Sequence, residues 1–509
     1  MLKNLLRHLV CLALLVYSGN ALVSAKNAVP RPRRGCSAVQ VAKGIHLPFP
    51  FLHRATVSPH PRRNTAHRHE GAERSNKASQ KRQIGIKEEG KASILTSIFN
   101  LSNNVAGAGL LTLAAGKAVS GTGWVPSIMT CVALAFGSAQ TFSLIGKACE
   151  MTGEGSFKGL WSVAFGDQTS WVLDSFVFVQ TFFSSVIYTG LLGDVFSALL
   201  RTSKLPYMLT NRKSIILIAA SCILWPLNMI RDMSALGFTS ILGLSAVLYT
   251  VFFSVIRALD GTYALHPAGK FVTDGMILNL PSFAKSTFWN FDLNSLVLVS
   301  NLGLAFIAHY NAPSYWKSLS QRSSQRFTKV SFLAYTVLAV IYSVTMLAGY
   351  STFGDVCEGN ILLNYSAADY LSALGRLATG LSIIFGFPLV SNGCRESCKQ
   401  VASALGIDLV SDPEKHGMLV TTLLVLTTSI ALCVNDIKLV AGLSGALMGS
   451  SLVYISPTLI YTRIVNQQKG KDSLEYRLAK RNLLFVPFGI FTATMGVLMT
   501  LKNTVLAKP

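Results

Sequence analysis

The sequence predicts an all-α integral membrane protein of eleven transmembrane helices, on three observations. Half of its 509 residues are hydrophobic and only 13% are charged, with a mean hydropathy of +0.45. Soluble chains carry about 25% charged residues. Beyond residue 91, apolar stretches of roughly twenty residues recur, the length a helix needs to cross about 30 Å of hydrocarbon at about 1.5 Å per residue. Short polar connections separate them, the longest near 259–291, and none could fold as a separate soluble catalytic domain.

In chain order, residues 1–25 begin with Lys3 and Arg7, followed by an apolar run from Leu9 to Tyr17 that is too short to span. Small residues with cleavage points after Ala21 or Ala25 complete the pattern of a secretory signal peptide. Residues 26–91 lack hydrophobic periodicity and are expected to form a disordered basic arm. Residues 1–91 hold 17 Lys and Arg against 4 Glu and no Asp. That composition suits a transit peptide behind a signal peptide, as in plastid targeting in algae with secondary plastids. It suits equally a basic tail on a secretory-pathway protein. The expected membrane is therefore an endomembrane or a plastid envelope, with both left open.

Residues 92–509 form the membrane domain, with spans expected near 94–119, 124–148, 170–200, 213–231, 236–258, 292–316, 327–351, 367–393, 416–435, 438–463 and 481–502. With the arm on the inner side, the inner loops carry 16 Lys and Arg and the outer loops and tail 11. This bias, with the basic arm, orients the chain. The net charge of +22 sits in the arm and loops, which fits membrane topology and excludes a nucleic-acid-reading surface. The nine Cys form no CxxC pair or Cys/His cluster, so no metal site is expected. No obligate protein partner is evident beyond the lipid bilayer itself.

Two spans are irregular. "FNLSNNVAGAGLLTL", residues 99–113, places Ser102, Asn103, Asn104 and Gly107-Ala108-Gly109 near mid-span. Gly costs about 1 kcal/mol relative to Ala inside a helix, and Asn competes for backbone hydrogen bonds. "GLAFIAHYNAPSYW", residues 303–316, holds Gly303, His309, Asn311 and Pro313 in the sixth span. Broken backbone at that depth is tolerated where it lines a cavity, and its freed groups then bind ions and zwitterions. The alternative for the first stretch is a small-residue packing face. The two irregular spans are five apart, the spacing of two five-helix repeats inserted in opposite orientation.

The first motif resembles that of the amino acid/auxin permease family in the APC superfamily, closest to its sodium-coupled neutral amino acid transporter branch. "ACEMTG", "YTGLLGD", "PLNMIRDMSALGFTS", "AFIAHYNAPSYW", "GYSTFGD" with "NILLNY", and "GLSGALMGSSLVYISPTLIY" continue the likeness in order. It covers about residues 92–505. The resemblance implies a LeuT-like 5+5 inverted repeat with broken helices 1 and 6 plus one extra helix. It implies a secondary active transporter that moves neutral amino acids by alternating access, with sodium or a proton as coupling ion and no other cofactor. By that likeness, N–H groups at Ala106, Gly107, Ala108 and Gly109 meet the substrate carboxylate. Carbonyls near Ala305 and Phe306 accept its ammonium, and Tyr310 belongs to the same pocket. Asn103 falls on the family's ion-site asparagine, whose amide oxygen suits sodium; an interhelical hydrogen bond is its plainer role.

One departure matters. Sodium-coupled relatives usually offer a Thr hydroxyl two residues before the proline of helix eight, and here Gly386 stands there. Ser382, one turn back, is the substitute. His309 could load a proton instead, or simply bond a neighbouring helix. On this reading uptake is expected to answer more to a pH gradient than to sodium. Asp174, Asp194, Lys117 and Arg376 lie toward span ends, where pairing or snorkelling suffices. An enzyme is disfavoured because no nucleophile, base or metal-ligand set has usable spacing. An amino acid sensor signalling through the arm is the other rival. Deleting residues 26–85 behind an intact signal peptide should change the protein's destination and leave transport in isolated membranes unchanged. Loss of flux in the purified protein would instead make the arm regulatory.

Overall fold

The structure is a computed structural model that describes residues 90–106, 122–201, 205–229, 237–264, 269–272, 289, 295–354, 357, 360–407, 413–434 and 437–506. The signal peptide and nearly all of the arm, Lys117, and Gly107, Ala108 and Gly109 lie outside the described residues. Every regular element described is helical. In chain order these are α1 (Ile94–Val105), α2 (Trp124–Thr152), α3 (Phe157–Phe165) and α4 (Ser170–Leu200). Next come α5 (Arg212–Ile218), α6 (Trp225–Met229) and α7 (Gly237–Leu259). The sixth span supplies α8 (Ser295–Ala305) and α9 (Ala312–Ser318). The remainder are α10 (Ser324–Phe353), α11 (Tyr370–Ala404), α12 (Pro413–Cys433), α13 (Ile437–Ser444), α14 (Ser456–Lys469), α15 (Leu474–Arg481) and α16 (Phe485–Leu506). A π-helical segment, Ala219–Leu224, joins α5 to α6, and another, Gly445–Ile455, joins α13 to α14.

Among the described residues nine helices are long and apolar enough to cross a membrane. Eleven were expected. The spans at 94–119 and 213–231 run into undescribed residues, and their described parts are α1 and the helical stretch from α5 to α6.

Local chemistry accounts for the helix ends that matter to the site. Ser93 opens α1, its side chain accepting from Thr96 N at 3.1 Å, the usual hydroxyl cap. At the other end, Ala106 N donates to Ser102 O at 2.8 Å. The sixth span is helical to Ala305, after which Phe306 N still reaches Leu302 O at 2.9 Å. Ala308 then adopts φ −150°, a 3₁₀ turn follows over His309–Asn311, and α9 begins with Pro313 in its first turn. Proline lacks an N–H and is favoured where a helix starts, so it restarts the helix here.

Helices approach closely where small residues face each other. The extensive pairings are α4 with α11, α2 with α10, α7 with α11, and the Gly445–Ile455 segment with α16 and α8. A Cβ on Gly445 would stand 2.1 Å from Ser300 O, and one on Gly449 would stand 2.8 Å from Gly303 C. Lipid tails are as apolar as leucine, so van der Waals fit of this kind replaces hydrophobic drive between helices.

The two ends of the bundle are pinned differently. At one end, Arg257 of α7 grips Asp369 through Nε at 2.8 Å and a second nitrogen at 2.6 Å. Tyr263 donates to the same carboxylate at 3.0 Å, and burial holds its phenol above the usual range. Arg376 is buried and donates to the carbonyls of Leu362, Tyr365 and Ser366. Asp194 pairs with Arg212 at this end, whereas Asp174, twenty residues earlier in α4, pairs with Lys158 at the opposite one. At the other end, the backbone just before α1 lies on the backbone just after α9. Ala92 N donates to Ser318 O, and Ser320 N to Ala92 O, each at 2.9 Å.

Gly445→Leu should lower the unfolding free energy by about 1–3 kcal/mol, the usual cost of overpacking, read by thermal unfolding of the purified protein. Gly417→Ala is the control, because its Cβ would meet only Met229 at 3.9 Å. Equal midpoints for the two variants would show that the α8 contact is not close-packed.

Candidate functional site

The end of α1 and the break in the sixth span meet on one side chain of α10. The hydroxyl of Tyr342 stands 2.9 Å from Val105 O and 2.8 Å from Ala305 O. One proton therefore serves two carbonyls. Two turns earlier on α10, Tyr335 donates to the next carbonyl of the sixth span, Phe306 O, at 3.0 Å. Both tyrosines are fully buried, with Phe306 packed between them at ring-centroid distances of 5.1 and 5.9 Å. The carbonyls expected to take an ammonium thus already have phenolic donors. Each carbonyl oxygen retains a second lone pair.

Beside this junction lies a small cavity of about 60 Å³. The first span contributes Asn104 and Val105, the sixth Leu304, Ile307 and Tyr310, and α11 Val390. From α4 come Gln180, Ser184, Ile187 and Tyr188, four positions on one helical face. No lining residue carries a formal charge. Gln180 donates to Ser184 at 3.1 Å and accepts from Ser444 at 3.1 Å, so the tenth span holds the amide that faces the cavity.

Of the expected site residues, Tyr310 lines the cavity, while Ala106, Ala305 and Phe306 are buried beside it. Asn103 points elsewhere. Its Oδ1 and the Oγ of Ser382 converge on Gly243 of α7, where an ideal Cβ would lie 2.7 Å from the first and 3.2 Å from the second. Three spans, the first, fifth and eighth, therefore meet at one point through two oxygens and a bare Cα. Gly386 lies one turn on from Ser382, and a Cβ there would meet only Tyr188, at 3.7 Å. Two residues beyond Gly386, Pro388 lacks the N–H that would otherwise close on the Ile384 carbonyl.

His309 faces away from both groups. Its Nε2 lies 3.1 Å from Ser138 O and 3.0 Å from Thr141 Oγ1, so α2 holds the ring by one nitrogen. Nδ1 is buried with no hydrogen-bond partner, and Phe142 packs edge-on against the ring at 5.3 Å. Sequence reading missed Tyr335, Tyr342, Gln180, Ser184, Ser444 and Gly243. The available signal was the polar i, i+4, i+8 series Gln180, Ser184, Tyr188, which stands next to a second such series, Thr181, Ser185, Thr189, in the same span. Among the described residues no group of three or more His, Cys, Asp or Glu could hold a metal ion.

Comparison with known proteins adds to this geometry. Residues 90–502 match the family described as transmembrane amino acid transporter protein. The chain is 24% identical over 427 residues to a sodium-coupled neutral amino acid symporter 2 from Danio rerio, covering 81% of this chain and 82% of that one. It is 25% identical over 378 residues to a vacuolar amino acid transporter 5 from Schizosaccharomyces pombe, covering 73% and 84%. Among solved structures it resembles the inward-facing conformation of Mhp1, with a TM-score of 0.53 and 13% identity over 82% of this chain and 92% of that one. At that identity the likeness bears on fold alone.

Tyr342→Phe should cost about 1–3 kcal/mol of stability, because two buried carbonyls lose their shared donor. Thermal unfolding of the purified protein reads this directly. An unchanged midpoint would mean that the carbonyls find other donors.

Proposed function

Because this chain belongs to the transmembrane amino acid transporter family, a family of transport proteins rather than enzymes, we propose that it carries a neutral amino acid across its membrane, driven by sodium. The observation that carries the cargo assignment is the cavity beside Val105 and Ile307, which lies between helices, where ligand sites form, and has no charged lining residue. A zwitterion brings both of its charges with it, so backbone groups suffice to hold it. In this reading the first ten of eleven spans form the 5+5 inverted repeat, broken at Ala106–Gly109 in the first and at Ala305–Ala308 in the sixth, and the eleventh is an extra helix. N–H groups at Ala106, Gly107, Ala108 and Gly109 take the carboxylate. The Ala305 and Val105 carbonyls, short of one donor between them, take the ammonium beside Tyr342. Alternating access then requires the Arg257–Asp369 contact and the Ala92–Ser318 contact to open in turn.

The coupling ion follows from Asn103 and Ser382. Two neutral oxygens from different spans, meeting against a glycine, suit a hard monovalent cation. Gly386 pointed toward a proton because the helix-eight hydroxyl is missing there. Ser382 supplies a hydroxyl at the Asn103 amide, while His309 is tied to α2, and this shifts the balance to sodium. Uptake into proteoliposomes, with sodium and the pH gradient varied independently, tests both ions. Replacing sodium by choline at constant pH should reduce uptake at least about tenfold, the factor that corresponds to roughly 1.4 kcal/mol of lost coordination. Gly243→Ala should abolish the sodium response by displacing both oxygens, and His309→Gln should leave it intact. Sodium-insensitive uptake that follows pH and is flattened by His309→Gln would overturn the sodium assignment.

A further inference from the structure

The connection between α14 and α16 carries a second feature, independent of the transport site. Helix α15, Leu474–Arg481, starts at Ser473, whose hydroxyl accepts from Tyr476 N at 3.1 Å. One side of it is seated on the bundle. Ala479 is buried, and its carbonyl accepts from Thr462 at 3.4 Å and from Asn482 at 3.2 Å. Asn482 also accepts from Gln140 of α2 at 3.1 Å. These bonds fix which face of α15 turns outward.

That outward face is apolar and cationic together. Leu474 and Leu478 are 61% and 47% exposed, and Leu484, just beyond the helix, is 76% exposed. At about 100° per residue, Arg477 and Arg481 fall on the arc immediately beside the two leucines, each roughly 160° from Ala479. Both arginines are exposed. Residues 469–481 contain five Lys and Arg against Asp472 and Glu475. Helix α15 runs on through a 3₁₀ turn into α16, which is long and apolar enough to cross the membrane. It therefore stands where chain meets bilayer surface. Leucines there need an apolar medium, and arginines on the same arc need anions within a few ångströms. The boundary between acyl chains and anionic headgroups supplies both.

We infer that α15 is a binding site for anionic phospholipid, with Leu474 and Leu478 in the acyl boundary and Arg477, Lys480 and Arg481 on the headgroup phosphates. The test uses the full chain, purified in neutral detergent and exposed to equimolar phosphatidylglycerol and phosphatidylcholine, with retained lipid read by native mass spectrometry. Phosphatidylglycerol should be retained preferentially, with the preference falling as salt is raised. Each cation removed by Arg477→Gln, Lys480→Gln or Arg481→Gln should cut the preference by roughly fivefold. Leu474→Ser with Leu478→Ser should reduce retention of both lipids. Soluble glycerol phosphate should not compete, because it offers no acyl boundary. Equal retention of the two lipids by the natural chain overturns the site, as does a preference unchanged by the triple Gln variant. Competition by glycerol phosphate would assign the cations to a free phosphate. A dimer that dissolves on the Leu→Ser changes would assign the leucines to a second copy.

Discussion

Every backbone N–H and C=O at membrane depth must find a partner inside the protein, because hydrocarbon offers none. The rest of this structure follows from how that requirement is met where the helices stop. The first span leaves the helix after Val105 and the sixth after Ala305. Their last carbonyls are met by phenols from α10, Tyr342 serving Val105 and Ala305 and Tyr335 serving Phe306. Each phenol has one proton to give. Among the described residues, these three carbonyls share two phenol protons beside the cavity. A site short of one donor in a low-dielectric interior favours a ligand that brings one, which connects helix termination directly to binding.

Close approach is the second condition. Helix ends can be capped across spans only if backbones come near, and glycine permits this at two contacts with different consequences. At Gly445 and Gly449 the approach welds the sixth span to the tenth, backbone on backbone. At Gly243 the missing side chain leaves room for Asn103 and Ser382 to face the same point. The first contact is mechanical and the second chemical, yet both depend on the same absent Cβ.

The two ends of the bundle differ in their ties and therefore in how they can open. Asp369 is closed off from water, and accepts from Arg257, Tyr263 and the backbone of Leu371. Parting those groups leaves buried charge uncompensated, which costs several kcal/mol unless water enters as they separate. The Ala92 contact consists of two backbone hydrogen bonds, each a net contribution of about 1 kcal/mol. That end is tied by further contacts as well, among them the Lys158–Asp174 pair and the bond from Ser324 N to Glu150.

The sequence by itself determined the class of protein and the irregularity of its sixth span. Apolar runs of span length and Pro313 are local properties, and local physics acts on them directly. It also named Tyr310, which lines the cavity, and it carried the family likeness through ordered motifs. Tertiary structure alone decided which side chains meet. Spans apolar on every side carry no periodicity to say which face turns inward, so the pairing of Gln180 with Ser444, or of Tyr342 with Val105, was not legible. Gly386 reads as a missing ligand until α11 is placed, and then Ser382, on the same face one turn earlier, lies beside Asn103. His309 reads as a free imidazole until α2 is placed against it. A residue type states what chemistry is available, whereas the packing of helices distant in the chain selects which of that chemistry shares a site.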